Sequence, residues 1–382
     1  MDGASFSRLR GAPMDARIPS LDGLRAISIA LVLFSHLAGT RGFPLSAAAA
    51  NPWGLGSFGV TVFFVISGFL ISGLLLEEMR RTDRIRLRRF YFRRTLRIFP
   101  PYFVLLAALF VAGRMGLLTL NRGDLFHGAT YTSNYHEARS WYVGHTWSLS
   151  VEEQFYLLWP AVLLFARSRR GLLIAAATIL IVPIVRVGEW ELMRWAGQGV
   201  GFRFETIADA LAAGCVLACA RNRLHASPMY MRVLSSRAFI LVPLTAVAAN
   251  LTHDHPLVAF GVALTVINLC LALCVDWAVT FHGGRIGRAL NAAPLVFVGW
   301  ISYSLYLWQQ PFLDRDSAAW PAAFPVNIAL TFAAALASYY LVERPSLQLR
   351  KRIEARWRRT TPGPPVGADP RPDLAAPLAA VD

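Results

Sequence analysis

The chain has 382 residues, of which 55% are hydrophobic and only 16% are charged. This composition excludes a large soluble helical protein, because a soluble protein of this length needs more charge to cover its surface. The formal net charge is +15, yet no soluble domain with a basic face is evident. The charge therefore predicts no nucleic-acid partner, and membrane topology and attraction to anionic membrane lipids account for it.

Apolar runs recur along the chain at nearly the length that crosses a bilayer. The predicted fold class is an all-α integral membrane protein with about ten transmembrane helices. The predicted spans are 21–39, 54–76, 100–119, 148–166, 171–187, 205–220, 238–251, 257–281, 294–312 and 326–342.

The loops between these spans differ in charge from one side to the other. On one side, 25 basic residues occur in five groups, against six on the other side. These groups are 80–97, 167–170, 221–237, 285–288 and 344–359. The positive-inside rule then predicts that both termini are cytoplasmic.

Three regions follow from this pattern. Residues 1–17 are predicted to be a cytoplasmic tail, and residues 18–355 a membrane-embedded domain. Residues 356–382 are rich in proline and alanine and are predicted to be a disordered cytoplasmic tail.

The first span begins with "LDGLRAISIALVLFSH", which carries Arg25 and His36. Their spacing of 11 residues is close to three helical turns, so both side chains lie on one face, roughly 16 Å apart along the axis. A signal peptide would not carry Asp22, Arg25 and His36 through its apolar run. The structural alternative is that Arg25 extends to a lipid phosphate and that His36 makes one helix–helix hydrogen bond. Ionisable groups inside a membrane favour a functional site.

The next cluster, "RRFYFRRTLRIFP", begins at Arg88 and precedes the third predicted span. Arg94 and Arg97 are spaced i, i+3 and share a helix face. Pro100 and Pro101 are expected to start the span. Guanidinium groups bind phosphates through paired hydrogen bonds, so the cluster is suited to a phosphate-rich cytosolic ligand. The alternative is that the charge only fixes topology.

A third cluster, "HTWSLSVEEQFYLLWP", begins at His145. Glu152 and Glu153 fall in the first turns of a predicted span, where the helix dipole and solvent stabilise a carboxylate. We expect one of them to do only this. The other is expected to face a cavity that contains His36.

The four cysteines form two pairs with i, i+4 spacing, Cys215 with Cys219 and Cys270 with Cys274. Small residues that pack helix against helix explain this pattern better than a metal site does. We predict no metal and no structural disulfide.

In order and spacing, these clusters resemble the acyltransferase-3 family of integral-membrane acyltransferases. The segments that carry the resemblance are "LDGLRAISIALVLFSH", "FGVTVFFVISGFLISG", "RRFYFRRTLRIFPPYF", "TWSLSVEEQFYLLWP", "ISYSLYLWQQP" and "VERP". They extend over nearly all of residues 18–355. The resemblance implies ten membrane helices and an acyl-CoA donor, usually acetyl-CoA. The resemblance does not extend to the extracytoplasmic hydrolase-like domain that some family members carry.

The resemblance also implies roles for individual residues. Its arginine-x10-histidine motif falls on Arg25 and His36, its arginine-x-x-arginine motif on Arg94 and Arg97, and its glutamate on Glu152. Arg25, Arg94 and Arg97 would then bind the phosphates of acyl-CoA. His36 and Glu152 would be catalytic, with His36 as a base or an acyl carrier that Glu152 orients.

One position departs from the family pattern. Many members have histidine where this chain has Gln309, after "YLW". A glutamine cannot act as a base, which puts an acid–base role at that position in doubt.

These observations predict a membrane O-acyltransferase of the bacterial cytoplasmic membrane. Its acceptor is expected to be a hydroxyl of a saccharide or glycolipid, and membrane lipids its other partners. Trp190, Trp195 and the charged residues of the loop 188–206 are suited to a sugar, although an interfacial helix explains them too. The alternative function is a polytopic transporter or flippase, although the two repeated halves with broken helices typical of transporters are not evident.

Overall fold

A computed structural model describes residues 18–47, 54–193, 200–252 and 254–360. In this part of the chain the regular secondary structure is helical, with no β-strand. The predicted tail 1–17, residues 361–382 of the predicted tail 356–382, and Trp195 lie outside the described residues.

The longer helices of the described residues are labelled here in chain order. They are α1 (Leu21–Leu37), α2 (Leu55–Thr82), α3 (Leu87–Arg114), α4 (Thr146–Met193), α5 (Phe204–Ala226), α6 (Leu241–Asn250), α7 (Leu264–Thr280), α8 (Ala293–Trp308), α9 (Val326–Ser338) and α10 (Arg344–Thr360). A π-helical turn, Tyr339–Glu343, joins α9 to α10. The last helix thus continues five residues beyond the predicted limit of the membrane domain at 355.

Five helical stretches of the described chain are long and apolar enough to cross a membrane. They contain α2, α3, α4, α7 and the continuous run from α9 into α10. A sixth is formed if the bent pair Pro228–Ser235 and Arg237–Asn250 is one span. The protein is therefore an all-α protein with several apolar helices, as the multi-pass membrane prediction requires. Ten spans and cytoplasmic termini stay predictions.

Helix α4 is continuous in outline but is interrupted at Arg167, where φ is +56°. This left-handed conformation costs free energy for a residue with a side chain, and it divides α4 into two apolar halves. The break lies at the start of the predicted basic loop 167–170.

The beginning of the third span differs from the prediction. Pro100 and Pro101 do not start a helix but lie inside α3, which begins at Leu87. The arginine cluster is thus part of the same helix as the apolar run. This helix also contacts α8 and α10.

Helix α5 lies at the centre of the fold, where it packs against α2, α4 and α7. Glycines allow the closest of these crossings. A Cβ atom on Gly68 of α2 would lie 2.0 Å from the carbonyl oxygen of Leu211, and one on Gly214 of α5 would lie 2.1 Å from that of Val65. Small residues of this kind let membrane helices approach backbone to backbone.

Helix α1 lies between α2 and α8. Its crossing with α8 is equally close, because a Cβ atom on Gly299 would lie 2.1 Å from the carbonyl oxygen of Asp22. The face of α1 that carries Arg25 is therefore held near α8 and α2, and this contact positions the site described below.

A buried ion pair connects α4 to α5. The guanidinium of Arg186 lies 2.7 Å from the carboxylate of Asp209, and both side chains are at most 1% exposed. Arg186 also donates hydrogen bonds to the carbonyl oxygens of Thr206 and Phe260, and Thr265 donates one to Asp209. A charge pair with so many partners tolerates burial, whereas either charge alone does not.

We expect Asp209→Asn to destabilise the protein by about 3–5 kcal/mol, because it leaves Arg186 buried without a counter-charge. The measurement is the thermal unfolding midpoint of the protein in detergent. The matched control is Leu180→Ala, at a position of α4 that is 72% exposed. An unchanged midpoint for Asp209→Asn would show that the pair does not stabilise this crossing.

Candidate functional site

A cavity of about 580 Å³ opens among α1, α2, α3, α4, α8 and α10. Its size lies within the range of pockets that bind small molecules and cofactors. Seven basic residues line it: Arg25, Arg89, Arg93, Arg94, Arg97, Arg350 and Lys351. Five acidic residues also line it: Asp22, Glu78, Glu152, Glu153 and Glu343.

Three of these basic residues, Arg25, Arg94 and Arg97, are the ones predicted to bind acyl-CoA. Arg25 comes from α1, where its Nη1 atom lies 3.4 Å from Oδ1 of Asp22 one turn earlier. Arg94 comes from α3, and its guanidinium lies over the ring of Tyr156, 5.1 Å from the ring centroid. Arg97 lies one turn further along α3 and interacts electrostatically with Arg25. The part of the cavity that these three arginines line is called the arginine end.

Glu152 also lines the arginine end, on α4. Its Oε1 atom accepts a hydrogen bond of 2.7 Å from Ser67 of α2, and its Oε2 atom accepts one of 3.2 Å from Tyr156. It interacts electrostatically with Arg94 and Arg25. The negative carboxylate thus attracts the positive charges of Arg94 and Arg25. Its hydrogen bond also holds the Tyr156 ring that Arg94 contacts.

Glu153 lines the same cavity, so both neighbouring carboxylates face it. The Oε1 atom of Glu153 is buried and has no hydrogen-bond partner. The expectation that one of the two glutamates does no more than stabilise a helix N-terminus is therefore wrong. Both lie in the interior at positions six and seven residues after the start of α4 at Thr146.

Tyr306 of α8 lines the cavity away from the arginines. Its hydroxyl lies 2.5 Å from the Ser148 hydroxyl and donates a hydrogen bond of 3.1 Å to the carbonyl oxygen of His145. The rings of Tyr306 and His145 are in edge-to-face contact, with centroids 5.5 Å apart. Three residues after Tyr306, at the end of α8, stands Gln309.

Gln309 contacts His36. The Nδ1–H of His36 donates a hydrogen bond of 2.6 Å to Oε1 of Gln309, and Gln309 is fully buried. The edge of the Trp141 ring meets the His36 ring, with centroids 5.2 Å apart. In the neutral tautomer with the proton on Nδ1, Nε2 is the basic nitrogen.

His36 therefore stands beyond the Tyr306 end of the cavity, and the described residues that line the cavity do not include it. The expected contact between Glu152 and His36 is not made. Glu152 lies seven residues, or roughly 10 Å, along α4 from His145, which interacts electrostatically with His36. The structure brings Glu152 to the arginines and gives His36 a glutamine as its partner instead.

Sequence reasoning missed further residues of this region. Glu343 is buried in the cavity wall, accepts a hydrogen bond of 2.9 Å from Ser304, and interacts electrostatically with Arg97. His145 repeats the arrangement of His36, since its Nδ1–H donates to Oε1 of Gln310 at 2.6 Å. The segments "VERP" and "YLWQQP" contain these partners, but their spacing alone does not show which residues they meet.

Residues 18–343 match the acyltransferase-3 family, described as an acyltransferase domain. The O-acetyltransferase OatA of Staphylococcus aureus is 27% identical over 383 residues, which cover 90% of this chain and 60% of that protein. The peptidoglycan O-acetyltransferase OatA of Listeria monocytogenes is 26% identical, over 86% of this chain and 55% of that protein.

A third relative is a putative peptidoglycan O-acetyltransferase, YrhL, of Bacillus subtilis, with 25% identity over 86% of this chain and 54% of its own length. The chain thus spans little more than half the length of these relatives. No solved structure matches it. The family match covers most of the chain and contains the cavity residues on α1, α3 and α4, so this protein belongs to the acyltransferase-3 family.

Proposed function

We propose that this protein is a membrane O-acyltransferase that moves an acyl group, most simply acetyl, from acyl-CoA to a hydroxyl of a saccharide or glycolipid. The observation that carries the proposal is one cavity with three arginines at one end and, beyond Tyr306 at the other, a histidine whose Nδ1 atom is held by Gln309. An anion site and a base about three helical turns apart on α1 match a long donor with phosphates at one end and a reactive thioester at the other.

Donor binding is assigned to Arg25, Arg94 and Arg97. Guanidinium groups offer paired donors to phosphate oxygens, and in a partly dry cavity these bonds are stronger than in water. The pantetheine arm would follow α1 toward Tyr306 and place the thioester near His36. Glu152 is proposed to hold Tyr156 and balance the charge of Arg94 while the site is empty.

His36 has two chemical routes. As a general base, its Nε2 takes the proton of the acceptor hydroxyl while the oxygen bonds to the thioester carbon; the carbon–sulfur bond then breaks, and the imidazolium returns the proton to the leaving thiolate. As a nucleophile, Nε2 itself bonds to the acyl carbon while the carbon–sulfur bond breaks and the thiolate leaves. The acceptor hydroxyl then attacks the acyl carbon, the carbon–nitrogen bond breaks, and the hydroxyl proton passes through solvent to the thiolate. Both routes need Nε2 free and Nδ1 held by Gln309.

The acceptor class follows from the relatives, which are named O-acetyltransferases, two of them of peptidoglycan. A saccharide hydroxyl is therefore the acceptor to test first. The bacterial cytoplasmic membrane is the proposed location, since the donor is cytosolic and the spans are apolar. The family match does not favour the transporter alternative.

We expect His36→Ala and His36→Gln each to lower the rate of acetyl transfer at least a hundredfold, because neither residue supplies a base. The rate is measured in isolated membranes with radiolabelled acetyl-CoA. Matched membrane abundance, checked by immunoblot, shows that folding is unaffected. Near-normal turnover in either variant would remove His36 from the chemistry.

Arg94→Lys and Arg97→Lys should raise the Michaelis constant for acetyl-CoA about tenfold, since lysine keeps the charge but loses the planar paired donor. The Michaelis constant for the acceptor should not change. Arg88→Lys is the matched control, because Arg88 is an exposed residue of the same helix and does not line the cavity. If all three variants bind the donor as the wild type does, the cluster serves topology alone.

Gln309→Leu should lower kcat about tenfold or more, because the imidazolium that forms in the reaction loses its hydrogen-bond acceptor. The Michaelis constant for acetyl-CoA should stay the same, since Gln309 lies outside the arginine end. Gln309→Glu keeps an acceptor at the same reach and should restore most of kcat. A leucine variant with normal kcat would show that the ring of His36 is oriented by Trp141 alone.

A further inference from the structure

Helix α10 brings two more basic residues to the cavity. Leu347, Arg350 and Lys351 line it and are spaced i, i+3 and i+4, so they form one face of the helix. These residues lie on a different helix from Arg94 and Arg97, which belong to α3. The cavity is thus lined by positive charges from both α3 and α10.

Specific contacts hold α10 in this position. Glu354 lies 2.6 Å from Arg93 in an ion pair whose side chains are 7% and 18% exposed. The rings of Trp357 and Phe92 are in contact, with centroids 4.7 Å apart. These contacts of Glu354 and Trp357 with α3 set the orientation of the helix face that carries Arg350 and Lys351.

The phosphates of coenzyme A are also in two groups. The diphosphate joins the pantetheine arm to the nucleoside, and a separate phosphate is attached to the 3′ oxygen of the ribose. A ligand with this shape needs one anion site along the path of the arm and a second one at the side. The arginine end supplies the first site, because Arg25 of α1 belongs to it and His36 lies further along the same helix.

We propose that Arg350 and Lys351 bind the 3′-phosphate of the donor and make the enzyme selective for acyl-CoA over thioesters that lack this phosphate. This inference rests on the proposed function, because it assigns a subsite of the same donor cavity. It gives α10 a role in substrate selection, in addition to any role of its charge in topology.

Attraction to anionic lipid is the competing account of these charges. Lipid headgroups would attract every exposed basic residue of α10, including Arg352, which does not line the cavity. A 3′-phosphate subsite instead requires the two residues that line the cavity, Arg350 and Lys351. Arg352 therefore provides a control that loses the same charge from the same helix.

The test compares acetyl-CoA with acetyl-3′-dephospho-CoA as donors, in membranes of the wild type and of Arg350→Gln, Lys351→Gln and Arg352→Gln. In the wild type, the Michaelis constant for the dephospho donor should be about tenfold higher or more. This ratio should fall in Arg350→Gln and Lys351→Gln, reach about one in the double variant, and stay at the wild-type value in Arg352→Gln.

Two results would overturn the inference: a wild-type ratio near one, or an equal fall in all three variants, which would assign the effect to surface charge. If a glutamine variant does not accumulate, competition in the wild type decides. Adenosine 3′,5′-bisphosphate should then inhibit about tenfold better than adenosine 5′-monophosphate, and equal inhibition would refute the subsite. Failure of the proposed function looks different, since the wild type would turn over neither donor.

Discussion

A guanidinium group removed from water must keep polar partners, and the arrangement of this cavity follows from meeting that requirement for Arg25, Arg94 and Arg97. Arg25 is near Asp22, and Arg94 rests on the ring of Tyr156, which Glu152 holds. Glu343 opposes Arg97 from the turn before α10. Partners for three charges thus come from three parts of the chain, and these segments have to converge with α3 at one place. The same convergence leaves a polar cavity inside an apolar bundle.

The anion site and the histidine belong to one helix but to different surroundings. Both Arg25 and His36 are on α1, so the distance between them is fixed by helical geometry and not by loops. The arginine end is charged and lined by carboxylates, whereas His36 contacts a neutral amide and an indole. Tyr306 lies between the two regions, bonded to Ser148 and to the backbone of His145. This division is suited to an enzyme that holds a charged donor at one end and exposes only its reactive end to a base.

Local patterns predicted what depends on helical periodicity. The shared face of Arg25 and His36, the spacing of Arg94 and Arg97, and the apolar helices all follow from a repeat of 3.6 residues. Contacts between distant segments did not follow. Glu152 meets Ser67, 85 positions away, and His36 meets Gln309, 273 positions away. Helical spacing contains no information on which helices cross, so Glu152 was assigned to the wrong partner. Proline is compatible with the first turn of a helix, but in α3 the two prolines lie inside a helix that begins at Leu87.

The glutamine at position 309 shows how a departure from a family pattern can preserve a physical role. Its carbonyl oxygen accepts the Nδ1–H of His36. A glutamine amide can also donate through its nitrogen, so it holds the ring of His36 by a hydrogen bond without itself exchanging a proton. Gln310 makes the same bond to His145, and the two neighbouring residues therefore orient two imidazoles from the end of one helix. Position 309 thus gives His36 a hydrogen-bond partner, and in the proposed function the proton chemistry belongs to His36.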